Sequence, residues 1–189
     1  MIIQRVREID STSLELRRRL ARGELLSPIL LIATTQTGGV GQFGRPWHSP
    51  LGGLWMTIAL PAPHAPGTPG FAHWSATLGT RLGATCQEVI AQLLAGTPSQ
   101  AQVTLKPPND ILIAGAKVCG LLTELLHDPA GRAWVLVGVG VNSNVPQESM
   151  PTALAYPATT LLAHRGHPID QEHLMHALAE HITHACAHP

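Results

Sequence analysis

The sequence predicts an α+β fold: a mixed, largely antiparallel sheet flanked by helices. Three observations predict it. Apolar residues recur at helical intervals along one long stretch, from Phe71 through Trp74, Leu78, Leu82, Cys86, Val89 and Leu93. Four strand-like runs with short turns follow, "QVTLK", "DILIAG", "KVCGLLTELL" and "RAWVLVGVGV". Helical patterns stand at both ends of the chain. Regular strand–helix alternation is missing, which argues against a doubly wound parallel sheet.

Taken in order, "IDSTSLELRRRLARGE" reads as a strand end followed by a helix. Thr12 and Glu15 have the spacing of a capping box, and Gly23 is placed to close the helix. "SPILLIATT" (27–35) is a buried strand, and "LWMTIAL" (54–60) a second. Between them lies "TGGVGQFGRPWHSP", whose only full positive charge is Arg45. "PAPHAPGTPG" (61–70) is an ordered Pro/Gly loop before the long helix, and "GTPSQ" ends that helix. "DPAGR" (128–132) is a hairpin loop. "DQEHLMHALAEHITHACAH" is an amphipathic helix with Leu174, Leu178, Ile182 and Ala185 on one side and histidines 173, 176, 181, 184 and 188 on the other. Sparse acidic or cysteine neighbours make that histidine face a solvated surface more readily than a metal site.

Composition narrows the function. The chain has 189 residues, 44% hydrophobic and 13% charged, with zero formal net charge. That length suits one domain with a real core, read here as residues 1–189 without a second domain. A neutral chain is not built to bind nucleic acid or an anionic membrane surface. No apolar run reaches the roughly 18 residues of a membrane span, and the charged start lacks a signal sequence. Cys86, Cys119 and Cys186 are widely spaced and odd in number, so they read as reduced core thiols of a cytoplasmic protein.

Three segments have the makings of a site. Glycines 38, 39, 41 and 44 allow a loop whose backbone N–H groups could form an anion nest. It is neither a Walker A loop nor a dinucleotide fingerprint, since no Gly-Lys-Ser/Thr follows and a strand comes next. On composition alone it also reads as a flexible surface loop. In "LKPPNDILIAGAKVCGLLTE" (105–124), Lys106, Asn109, Asp110 and Lys117 cluster among apolar strands. A tight turn at "AGA" would make Asp110 and Lys117 cross-strand neighbours. They would then be either an exposed ion pair or a lysine held to face an anionic ligand. Gly120 would let a ligand pack flat against its strand. In "VLVGVGVNSN", Gly138 and Gly140 interrupt a buried strand, as glycines do where a ligand comes close, and Asn142 and Asn144 supply amides at its end.

In this order, the segments resemble the catalytic domain of biotin protein ligases, within the class II synthetase-like biotin/lipoate ligase fold. The matches are "IDSTS" (family I-D-S-T-N), "QTGGVGQFGRPWHSPLGGLW" (Q-x-x-G-R-G-R-x-G-R-x-W-x-S-P-x-G-x-L), "LKPPNDIL" (K-W-P-N-D), "GAKVCGLLTE" (G-x-K-x-x-G-I-L-x-E) and "VGVGVNSN" (G-I-G-I-N-x-N), spanning about residues 8 to 145. Lipoate ligases share the fold with a different glycine motif.

The resemblance implies an enzyme that joins biotin to ATP with Mg²⁺ and passes the biotinyl group to a lysine of a biotin carboxyl carrier domain. It implies that Ser11 and Thr12 meet the ureido ring, with Ser13 where the family has Asn and Gln36 in the same pocket. Gly39, Gly120, Leu122 and Gly138 fall on the biotin side. Lys117 would bind the carboxylate and then the adenylate phosphate, with Arg45 as the second catalytic cation. Gly41, Gln42, Trp47, Lys106, Asn109, Asp110 and Asn142 fall on the ATP side, Asp110 also toward Mg²⁺ and Asn142 toward adenine. Val40 and Gln42 stand where the family has arginines, Phe43 at a third, variable basic position, and Pro107 where it has tryptophan. One lost donor of this kind costs about 10²–10³ in rate. A homologue that binds an acid without transferring it, and a ligase for lipoate or octanoate, therefore stay open. No helix-turn-helix domain is expected before this unit and no SH3-like domain after it. A homodimer is compatible with the reading.

Overall fold

A computed structural model describes residues 1–151 and 157–188. Among these, seven strands form one sheet in the order β1-β2-β3-β7-β6-β5-β4. The strands are β1 (Ile2–Ile9), β2 (Ile29–Gln36), β3 (Leu54–Pro61), β4 (Val103–Lys106), β5 (Asp110–Ile113), β6 (Ala116–His127) and β7 (Ala133–Val141). Only β1 and β2 are parallel, joined by helix α1 (Thr12–Ala21); the other pairings are antiparallel. Helices α2 (Pro69–Leu93), α3 (Leu161–Arg165) and α4 (Gln171–Ala187) complete the fold. This is the mixed, mostly antiparallel α+β arrangement expected from the sequence.

Strand alternation divides the core. Val135, Val137, Val139 and Val141 of β7 face α2 and α4, packing with Trp74, Leu78, Leu82, Leu174 and Leu178. The Trp74 indole N–H also donates to Cys186 O at 2.8 Å, tying α2 to α4. On the opposite face, Trp134 and Leu136 pack with Leu16 and Leu20 of α1. Burying each of those α1 leucines stabilises the fold by about 2 kcal/mol.

The side chains of β7 on the α1 face then shrink, from Trp134 and Leu136 to Gly138 and Gly140. Where helix cover ends, the strand stops filling space. That is where the cavity lies.

Several local expectations change. Ser11, not Thr12, caps α1: its Oγ accepts from Leu14 N. Thr12 is the first helical residue, so Glu15 falls one position too late for the capping box. At the other end Gly23, at φ 72, lets Gly23 N reach Leu20 O and Glu24 N reach Arg19 O, a Schellman closure. Pro69 and Gly70 belong to the first turn of α2, with Thr68 as its cap, so the preceding loop ends sooner than expected. Helix α3 carries no signal long enough to predict. The three cysteines are buried and unpaired, and burial pushes the Cys119 and Cys186 thiols up to about 12. Among the described residues, no helix is long and apolar enough to cross a membrane.

Candidate active site

A cavity of about 410 Å³ opens on the α1 face beyond Leu136, within the range of small-molecule sites. Its wall brings together segments far apart in sequence: the start of α1, the end of β2, the glycine loop, the β4–β5 turn, and β6 and β7. Every site residue expected from the sequence lies on it except Gly39.

Gly39 serves the loop itself. Its carbonyl accepts from Trp47 N at 2.8 Å, and a Cβ there would stand 2.5 Å from Trp47 O. Its need for glycine is a close backbone approach, not a ligand contact.

One end of the cavity is a buried polar cluster. Thr12 N and Oγ1 donate to Gln36 Oε1 at 2.8 and 3.1 Å. Gln36 Nε2 donates to Ser49 Oγ at 2.8 Å. Ser13 Oγ lies 2.9 Å from Thr57 Oγ1, and Thr12 Oγ1 2.8 Å from it. Gly138 leaves the room for this: a Cβ on it would stand 2.6 Å from Ser13 Oγ.

At the other end Lys117 Nζ is 2.6 Å from Asp110 Oδ1, with the two side chains 25% and 18% exposed. The pair forms, but not through direct register. Asp110 is opposite Gly120 and Lys117 opposite Leu112, with a register shift between Ile111 and Leu112. The irregularity adds a residue to β6 and re-aims the side chains, as bulges do beside sites. Ala114 and Gly115 carry the positive φ values, 50 and 80, of a two-residue turn. Lys117 Nζ also lies 4.9 Å from the centre of the Trp47 ring.

The backbone of Lys117 is clamped by a segment that carries no strand pattern. Lys117 N donates to Pro157 O at 2.8 Å, and Thr159 N donates to Lys117 O at 2.9 Å. Asn142, 3% exposed, sends Nδ2 to Thr159 O at 3.0 Å and Lys117 O at 3.4 Å. Its amide nitrogen is thus committed to the scaffold. Asn109 is tied down similarly, Nδ2 donating to Leu121 O at 2.7 Å. Sequence reasoning missed Met150, Ala158 and Pro151 on the wall. Ala158 is placed by the pairing of residues 157–159 with Lys117, which no local pattern announces.

The floor also differs from expectation. Gly120 and Gly140 are directly paired across β6 and β7. What lies flat on them is the Trp47 indole: added Cβ atoms would stand 2.9 Å from Cζ3 and 2.5 Å from Nε1. The indole N–H is buried without a partner among the described residues.

The loop closes as a hairpin that engages part of its backbone N–H groups. Gly38 N donates to Asp10 O, Gly41 N to Arg45 O and Trp47 N to Gly39 O, each at 2.8 Å. Those donors are therefore not offered to an anion. Val40 and Gln42, which carry no charge, line the cavity beside His48. Arg45 folds back over its own loop, Nε donating to Gln42 O at 3.2 Å and the guanidinium 5.4 Å from the Phe43 ring centre. Phe43 is 88% exposed at φ 58.

The model of the biotin/lipoate A/B protein ligase family matches residues 6–142. The chain belongs to that family. The bifunctional ligase/repressor BirA of Bacillus spizizenii is 32% identical over 165 residues, covering 87% of this chain and 47% of that protein. The biotin–[acetyl-CoA-carboxylase] ligase of Paracoccus denitrificans is 32% identical over 171 residues, covering 90% and 67%. The structure of the Aquifex aeolicus biotin protein ligase in complex with biotin and ATP superposes with a TM-score of 0.75 at 27% identity, over 98% of this chain and 70% of that one. The chain thus spans about half the length of the ligase/repressor it matches.

Among the described residues no group of three or more His, Cys, Asp or Glu is placed to hold a metal. Asp110 is a single carboxylate on the cavity wall. That suits Mg²⁺ arriving on a nucleotide, since this ion commonly takes one or two carboxylates and completes its shell with phosphates and water.

Proposed function

We propose that this chain is the catalytic domain of a biotin–protein ligase. A biotin carboxylate oxygen attacks the α-phosphate of ATP and pyrophosphate leaves; the amine of a lysine on a biotin carrier domain then attacks the acyl carbon of the biotinyl-5′-adenylate, forming an amide and releasing AMP. Membership of the family and relatives named as biotin ligases support this reading. The observation that carries it is Lys117, held 2.6 Å from Asp110 on a wall shared with Thr12 and Gln36.

Two anions must meet in the first step, so the residues have to offset their repulsion and orient them. In the resting pair Lys117 and Asp110 neutralise one another. With substrates bound, Lys117 would turn to the acid and Asp110 would become free to hold Mg²⁺. The ion would supply charge compensation at the phosphates. Lys106 lines the same side. The site needs no covalent enzyme intermediate. A neutral chain with buried thiols fits a cytoplasmic partner protein better than nucleic acid, and a homodimer is compatible with this reading.

A second reading, binding without transfer, is favoured by Val40 and Gln42 and by the hydrogen-bonded closure of their loop. Pyrophosphate release with biotin and ATP separates the two. The ligase reading expects Lys117→Ala to lower release by about 10²–10³. Release no faster than in that variant, together with calorimetric biotin binding, would establish the second reading instead.

A further inference from the structure

Thr57 is fully buried on β3, beneath the polar end of the cavity, and no sequence motif marks it. Its hydroxyl touches both Thr12 Oγ1, at 2.8 Å, and Ser13 Oγ, at 2.9 Å. Taken alone, either partner of each pair could donate. The surrounding groups fix the direction.

Thr12 N is a donor, so the Gln36 atom it meets at 2.8 Å is the amide oxygen. The other side agrees. Ser49 Oγ donates to Trp47 O at 3.2 Å and receives Gln36 Nε2 at 2.8 Å. Thr12 Oγ1 is 3.1 Å from the same Gln36 oxygen, which can only accept. Each hydroxyl has one proton to give. Thr12 gives its proton to Gln36 and must accept from Thr57. Thr57, having donated, must accept from Ser13. The proton of Ser13 is therefore committed inward, and its oxygen offers the cavity lone pairs.

We propose that Thr57 is a positioning residue for substrate selection: it polarises this chain so that Ser13 acts as a hydrogen-bond acceptor toward the ligand. The class of acid that fits carries N–H donors at the end away from its carboxylate, as a cyclic urea does. An acid ending in a dithiolane or a plain alkyl chain brings no donor for that oxygen. This inference rests on the ligase reading and adds to it a residue that touches no substrate.

The test uses the full chain with biotin, lipoate and octanoate as probes, measuring binding by calorimetry and the kinetics of pyrophosphate release. Thr57→Val keeps the branched shape and removes the hydroxyl. It is expected to raise the KM for biotin about tenfold, the worth of one hydrogen bond to a partly buried group, with kcat and the KM for ATP unchanged. Thr57→Ser restores the hydroxyl and should behave as wild type. Unchanged biotin affinity in Thr57→Val overturns the inference, and so does an equal loss in Thr57→Ser. If Thr57→Val fails to fold, Ser13→Ala carries the test: it should weaken biotin similarly while leaving lipoate binding alone, and unchanged biotin affinity overturns the idea. A wild-type chain that binds lipoate or octanoate at least as well as biotin overturns the ligand reading as well. A wild type selective for biotin beside an unaffected Thr57→Val variant overturns only the role of Thr57.

Discussion

Glycines that look alike in the sequence do different work. Gly140 has no room for a side chain, because a Cβ there would meet the Trp47 indole at 2.5 Å. Gly79, inside α2, would meet only Pro108 Cβ at 3.9 Å, an ordinary contact. Gly140→Ala is therefore expected to dislodge the indole and cost about 1–3 kcal/mol. Gly79→Ala should stabilise by about 0.5–1 kcal/mol through helix propensity. Urea titrations of the two variants check both, and a destabilised Gly79→Ala would refute the assigned difference. The need for a small residue at 120 and 140 was legible in the sequence. What rests on them was not, since Trp47 arrives from a loop whose path is set by its own hydrogen bonds. Thr57 was illegible for a related reason: a threonine in an apolar strand has no mark until its cross-chain partners are known.

Among the elements, α2 and α4 were readable because each buries a long helical stripe. Helix α3 spans five residues, too few for a period to register. It matters through His164, whose Nδ1 lies 2.8 Å from Ser99 Oγ and whose Nε2 lies 2.9 Å from Thr159 Oγ1. Thr159 in turn seats the backbone of Lys117. Partial burial lowers the pKa of His164 from its ordinary 6.5. A depressed histidine contributes stability above the unfolded value, and that contribution is lost as pH falls through the folded one. The wild type should therefore lose stability below about pH 6.5 more steeply than His164→Gln. Denaturant midpoints across pH 5 to 8 measure this, and parallel profiles would contradict it. The β5–β6 hairpin was equally half-visible. Its two strands and turn follow from "DILIAGAKV", whereas the irregularity at Ile111 and Leu112 is a sheet-level adjustment.

For the molecule as a whole, element types followed from local pattern, but the strand order did not. β3 lies beside β7, with β4, β5 and β6 further out, and these pairings join residues some eighty positions apart. That order carries the start of α1, the glycine loop and the β4–β5 turn to one end of the sheet. The Trp47 arrangement also equips the molecule for spectroscopy. Trp55, Trp74 and Trp134 are at most 2% exposed, leaving Trp47 as the tryptophan in partial contact with solvent. An occupant that displaces its ring from the paired glycines would release a buried N–H into water. Emission should then shift to longer wavelength on saturation with adenylate, and a Trp47→Phe variant should show no shift. The chain would thus report its own occupancy optically, without an attached dye.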